Sequence, residues 1–314
     1  MPREKGDERE DAETEEENEK EWHRFGDVRV SLHSVAGNVS AVSATLVAAE
    51  DREVTAPPAK RELSSDIFPA LEAKPDGLAE HVADRLPKWH PAAIFFAGLV
   101  LCWAGLALVT VLFGLAFTSW IVPIDGFESA DEYPVKWLAD HRAPFWNDAS
   151  NLGSNIAGGF LIPALVGAVV IVAAFKKRWL LAGFVLSTIL IESGTYRATV
   201  FFVNRDRPNV HRLESLPVDA SYPSGHTAAG LALYSGFALL LTSRMTSTRK
   251  QVLVWICALA VPPIVAVSRM YRGMHHPTDT LAGLCMGIAA LLLAILLARV
   301  TDVVSRRRAE ARAA

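Results

Sequence analysis

The sequence predicts an all-α membrane protein: a six-span transmembrane helical bundle with an acidic, largely disordered N-terminal tail. Two observations carry this. Six apolar runs meet or approach the roughly 20 residues that a helix needs to cross the hydrocarbon core, at residues 92–117, 157–175, 179–201, 226–242, 251–268 and 278–298. Charge is also unevenly divided: residues 1–90 hold 12 Lys and Arg against 21 Asp and Glu, and residues 91–314 hold 19 against 13. The chain is therefore read as an acidic disordered cytoplasmic tail (1–90), a transmembrane domain (91–300) and a basic cytoplasmic tail (301–314).

In chain order, the first 21 residues carry 11 acidic side chains and too little apolar surface to offset the entropy of ordering. Pro57-Pro58, Pro69 and Pro75 interrupt any helix before a short one near 78–86. The acidic terminus lacks an apolar core, so no cleavable signal peptide is expected. Trp89, Trp120, Trp179 and Tyr222 sit at run ends, as interface anchors do. Residues 118–156 place Trp137, Leu138, Phe145 and Trp146 among charges, which predicts an amphipathic helix on the membrane surface with His141 and Arg142 on its wet side. Glu192 falls in the middle of the third run, where an ionisable group is costly; an internal hydrogen bond to Tyr196 or another span is expected. Cys102, Cys257 and Cys285 lie in apolar runs without CxxC spacing, so they read as packing residues, with no disulfide framework or zinc site.

Basic residues orient the bundle. Lys176-Lys177-Arg178, Arg244 with Arg249 and Lys250, and Arg306-Arg307-Arg308 fall on one side of a six-span chain, together with both termini. The positive-inside rule makes that side cytoplasmic. Arg205, Arg207, Arg212, Arg269 and Arg272 break the bias on the opposite side, which suggests that they serve chemistry.

Three polar clusters meet on that opposite side: Arg205-Asp206-Arg207-Pro208, then Pro223-Ser224-Gly225-His226, then Ser268-Arg269 with His275 and Asp279. Ser224 suits a helix N-cap and Gly225 allows close backbone approach. Pro277 suits a first helical position. Two helix N-termini flanked by Arg207 and Arg269 make an anion site. Two histidines can divide the work on a phosphoester, one attacking phosphorus and one protonating the leaving oxygen. Asp279 is expected to fix the tautomer of its histidine.

These clusters resemble the type 2 phosphatidic acid phosphatase superfamily, whose motifs are Lys-x6-Arg-Pro, Pro-Ser-Gly-His and Ser-Arg-x5-His-x3-Asp. The second and third are matched residue for residue, and the resemblance spans roughly residues 92–300. It implies that His275 is the nucleophile, oriented by Asp279, and that His226 is the general acid. It also implies that Arg207, Ser224, Gly225 and Arg269 hold the phosphoryl oxygens, without metal or other cofactor. The first motif departs, because Val200 stands where the family has lysine. Arg205, or Arg197 one turn deeper, is expected to supply that cation, and Arg272 is a further candidate for substrate contact.

The resemblance implies a multi-pass cell-membrane hydrolase that acts on a lipid phosphate or diphosphate at the extracytoplasmic face. Among the substrates that the resemblance implies, the outward-facing pocket and the bacterial look of the chain (compact loops, few lysines, many alanines and arginines) favour by analogy a polyprenyl diphosphate, such as undecaprenyl diphosphate, over phosphatidic acid or phosphatidylglycerol phosphate. A phosphotransferase using the same phosphohistidine, and an impaired lipid-binding homologue, are the alternatives. Six apolar spans argue against a soluble haloperoxidase with shared motifs, and no nucleic acid is expected as a partner.

Overall fold

Proline starts three of the helices that matter here: Pro91, Pro144 and Pro277 each occupy the first turn, where the missing N–H costs nothing. The computed structural model describes residues 68–86, 89–215 and 219–314, and among these it contains helices and no strand. They are α1 (Leu78–Asp84), α2 (Pro91–Ala116, prolonged by a π turn at Phe117–Ile121), α3 (Phe127–Asp140), α4 (Pro144–Asn155), α5 (Leu161–Phe175), α6 (Trp179–Phe202), α7 (Gly225–Thr242), α8 (Thr248–Tyr271) and α9 (Pro277–Ala313). Residues 1–67, which hold most of the expected tail, lie outside the described residues.

Four helices are long and apolar enough to cross a membrane: α2 with its π turn, α6, α8 and α9. The other two runs come out shorter. α5 has 15 residues, and α7 has 18 but opens on the polar Gly225-His226-Thr227. α2 exposes Phe96, Leu101, Leu108 and Leu112, a surface suited to lipid rather than water. Trp120, Trp137 and Trp146 are exposed toward one end, and Trp89 and Trp179 toward the other.

α6, α7 and α9 form the centre. α2 packs on α6 and α9, α5 on α6, and α8 on α7. The close approach of α9 to the start of α7 needs small residues: a Cβ on Gly283 would stand 2.4 Å from the Ser224 carbonyl oxygen, and one on Gly287 would stand 2.6 Å from that of Ala228. Because the obstacle is backbone, Gly283→Ala is expected to cost about 1–3 kcal/mol, as overpacking does. A fall in melting temperature together with a loss of activity is the expected result, and an unchanged melting temperature would refute the close fit.

The two ends of the bundle differ. At the end away from the three motifs, α1 packs on α9, Arg307 donates to Asp84 (2.7 Å), Arg299 donates to the Ala70 carbonyl (2.9 Å), and Arg244 lies over the Phe68 ring. The helix expected near 78–86 is therefore present, and residues 68–86 pack on the bundle although the tail was read as extending to residue 90. The basic segment 301–314 continues α9 as helix rather than leaving it as a separate tail. At the motif end, the expected surface helix is a hairpin of two, α3 and α4, both packed on α8.

Candidate active site

Backbone hydrogen bonds lock the three motifs together. Ser221 N–H donates to the Arg205 carbonyl (2.8 Å) and its hydroxyl to that of Asp206 (2.8 Å). Ser224 N–H donates to the Asp279 carbonyl (2.9 Å), which joins the start of α7 to the start of α9. Gly273, at φ +74°, makes the turn that brings His275 back over α8; a side chain there would be strained and would meet Val210.

His275 is 2% exposed, and its Nδ1 lies 2.7 Å from the Ser221 carbonyl oxygen. A carbonyl only accepts, so Nδ1 carries the proton and Nε2 keeps its lone pair. Burial, reinforced by Arg269 and Arg207 and only partly opposed by Asp279, holds the imidazole well below its usual pKa. The ring is therefore neutral at physiological pH.

The expected role of Asp279 needs correction. Its Oδ2 is 3.9 Å from His275 Nδ1, too far for a hydrogen bond, and the tautomer is fixed instead by the Ser221 carbonyl. Asp279 accepts the His276 N–H (2.8 Å) in a reciprocal capping box at the start of α9. Its other oxygen accepts Arg205 Nη1 at 2.5 Å. Asp279 thus fixes the backbone that carries His275 rather than the ring itself.

Arg205 is also placed differently from the expectation of a phosphate-holding cation. Its guanidinium is buried between two carboxylates, Asp279 and Asp131 (2.7 Å to Oδ2), and donates to Thr278 Oγ1 (2.8 Å). Asp131 comes from α3 and also accepts the Thr278 N–H and hydroxyl. The adjacent Glu132 accepts Asn209 N–H (2.5 Å) and pairs with Lys136. Burial alone would raise the Glu132 carboxyl, but Lys136 and the Asn209 N–H outweigh it and hold the pKa below the usual range. Sequence reasoning missed Asp131, Glu132 and Ser221, because an acidic pair in an amphipathic segment reads as a wet face and a carbonyl ligand leaves no side-chain signal.

Arg207 donates to the Met274 carbonyl (2.5 Å) and the Ala220 carbonyl (3.1 Å), which clamps the residue before His275. Arg269 is fully buried; its Nη1 donates to Ser154 Oγ and to Glu214 Oε2, each at 2.8 Å. Its Nε and Nη2 are buried with no hydrogen-bond partner among the described residues. Arg272 donates to Glu214 (3.2 Å) and to the Leu213 carbonyl (3.1 Å), so it holds the loop before α7. Arg142 was expected to be solvated, yet it is tied to the Tyr271 carbonyl (2.8 Å) and the His211 carbonyl (2.7 Å).

Ser224 stands at the N-cap of α7 but makes no side-chain cap bond, because its hydroxyl pairs with Thr227 Oγ1 (2.9 Å). The N–H groups of Gly225 and His226 therefore open α7 uncapped by a side chain, an anion-binding arrangement. The ring of Tyr196 covers Gly225. His226 and Gly225 line a cavity of about 370 Å3 with Arg197, Val200 and Glu192. Glu192, in the middle of the third apolar run, is expected to find its hydrogen-bond partner in Tyr196 or another span. It instead accepts from its neighbour Ser193 (2.8 Å) and shares this wall with His226. No group of three or more His, Cys, Asp or Glu among the described residues converges as a metal site.

The described residues form a helical bundle with a buried, neutral imidazole, arginines and a helix N-terminus uncapped by a side chain, an arrangement that can bind a phosphoryl group. Residues 176–301 match the model of the PAP2 superfamily. It is 29% identical over 174 residues to phosphatidylglycerophosphatase B of Bacillus subtilis, covering 53% of this chain and 82% of the relative. It is 35% identical over 109 residues to an undecaprenyl-diphosphatase of Sulfolobus acidocaldarius, covering 34% of this chain but only 48% of the relative. The fold matches the crystal structure of a transmembrane PAP2-type phosphatidylglycerolphosphate phosphatase from Bacillus subtilis, with a TM-score of 0.50 at 21% identity, covering 65% of this chain and 93% of that one.

Proposed function

We propose that the protein hydrolyses a lipid phosphate or diphosphate through a phosphohistidine on His275, at the extracytoplasmic face of a six-span bundle. The observation that carries this reading is the neutral His275 ring, with Nδ1–H held by the Ser221 carbonyl and Nε2 free to attack. Arg269 has buried N–H groups to offer the phosphoryl oxygens, and the start of α7 offers its backbone N–H groups. His226 protonates the leaving oxygen and later activates water. Basic residues at the far end of the bundle support the orientation, by the positive-inside rule.

A polyprenyl diphosphate remains the first candidate substrate. What supports it is Arg197, which lines the cavity beside His226 and can reach a second phosphate there. Val200 leaves that wall without the family's lysine, and Arg197, not Arg205, is the arginine that lines it, together with Glu192. The test is inorganic phosphate released from polyprenyl diphosphate, phosphatidic acid and phosphatidylglycerol phosphate in detergent. Arg197→Ala is expected to lower kcat/KM for the diphosphate about tenfold, as loss of a charged contact does, with less effect on the monophosphates. Equal losses on all substrates would remove the diphosphate preference. A phosphorylated acceptor in place of free phosphate would make the enzyme a phosphotransferase.

A further inference from the structure

The buried arginine of the third motif already holds an anion that belongs to the chain. Residues 211–214, in the loop before α7, are pinned to the end of α8: Leu213 N–H donates to the Arg272 carbonyl (3.1 Å), Arg272 Nη2 donates back to the Leu213 carbonyl (3.1 Å), and Arg142 holds the His211 carbonyl (2.7 Å). This anchoring sets Glu214 so that a single oxygen, Oε2, accepts both Arg269 Nη1 (2.8 Å) and Arg272 Nε (3.2 Å). Arg269 is wholly buried while the Glu214 side chain keeps 27% of its surface, so the carboxylate lies at the rim and the guanidinium beneath it.

The charge balance explains why a carboxylate is there. An empty anion pocket built around a fully buried guanidinium leaves an uncompensated charge, which is among the most destabilising things a protein interior can hold. Glu214 supplies the missing charge. Half-burial would raise its carboxyl, but Arg269, Arg272 and His226 outweigh that and hold it below the usual carboxylate range, so it stays an anion. Anything that binds Arg269 as an oxyanion must then share the arginine with a fixed negative neighbour or displace it.

We propose that Glu214 is a specificity-determining residue of the phosphoryl site: it is the internal counter-ion of Arg269 and Arg272, and it competes for Arg269 with the incoming phosphoryl group. The proposal rests on the reading of this site as a phosphoryl pocket. Its consequence is selection by charge and shape. A tetrahedral dianion can engage the two unpartnered donors of Arg269 and outcompete one carboxylate oxygen. A carboxylate monoanion brings no such advantage, and a headgroup with extra negative charge beside the phosphoryl group meets repulsion.

The test is binding of inorganic phosphate and orthovanadate to the full chain in detergent, read by thermal protection and by inhibition of phosphate release. In Glu214→Gln the carboxylate charge is removed while the shape is kept. The apparent dissociation constants for both oxyanions are expected to fall about tenfold, and KM for the lipid substrate to fall with them. Glu214→Asp, whose shorter arm cannot bridge both arginines, is expected to shift affinity in the same direction, and it serves as the second variant if the first fails to fold. Unchanged or weaker oxyanion binding in both variants would overturn the competition. Thermal protection is read without turnover. A wild-type chain that binds phosphate but releases none from any lipid would therefore sink the hydrolase reading and leave the Glu214 result standing on its own.

Discussion

Replacing His275 by alanine is expected to lower phosphate release by about 10^4–10^6-fold, the loss seen when the nucleophile of a covalent mechanism is removed. The geometry makes the prediction sharp, because the ring has one hydrogen bond, to the Ser221 carbonyl, and one free nitrogen. Alanine leaves that carbonyl unsatisfied, at a cost of about 1–3 kcal/mol, while the backbone locks among the motifs remain. Folding should survive, and the loss should appear in kcat with little change in oxyanion protection. A second readout comes from His226→Ala, which removes the acid but leaves the nucleophile. With a substrate whose leaving group needs no proton, that variant is expected to accumulate a phosphorylated chain that survives alkaline quenching and is lost in acid, as a phosphorus–nitrogen bond is, and the double variant is not. Phosphate release that persists in His275→Ala, or trapped phosphate that does not depend on His275, would end the phosphohistidine mechanism.

How much of this was legible in the sequence follows from which forces set each contact. The long apolar helices were visible because a bilayer imposes length and hydropathy locally, on each run separately. α5 and α7 were harder to place, because Gly225-His226-Thr227 belongs as much to the site as to a span. His275, His226, Ser224 and Arg269 could be named from motif spacing. Their partners could not: the tautomer of His275 is fixed by the backbone carbonyl of Ser221, and Glu214 reaches Arg269 across 55 positions. The same limit explains Arg205. Its neighbours in sequence made it look like a stand-in for the missing lysine, but two carboxylates from α3 and α9 claim its guanidinium.

That arrangement makes Asp131, far from the motifs in sequence, the residue whose loss should hurt most after His275 and His226, the histidines proposed to be catalytic. Asp131→Ala takes from buried Arg205 one of its two counter-charges, and from Thr278 the acceptor for both its N–H and its hydroxyl. Breaking a buried pair by removing one partner typically costs about 3–5 kcal/mol, since both side chains here are 5% exposed. Thr278 lies between His275 and Asp279, so the start of α9 should shift as well. On the proposed mechanism, a displacement of His275 by about 1 Å can cost around 10^2-fold in rate, and kcat/KM is expected to fall by about that factor. A structural loss alone would lower the melting temperature without coupling to Arg205, so the deciding measurement is a double-mutant cycle with Arg205→Ala. If Arg205 acts by tethering Asp279 and Asp131, the double variant should be no worse than the more damaged single one, with a coupling energy above about 1 kcal/mol. Additive losses in kcat/KM would return Arg205 to the phosphate, in the role of the lysine that Val200 replaces.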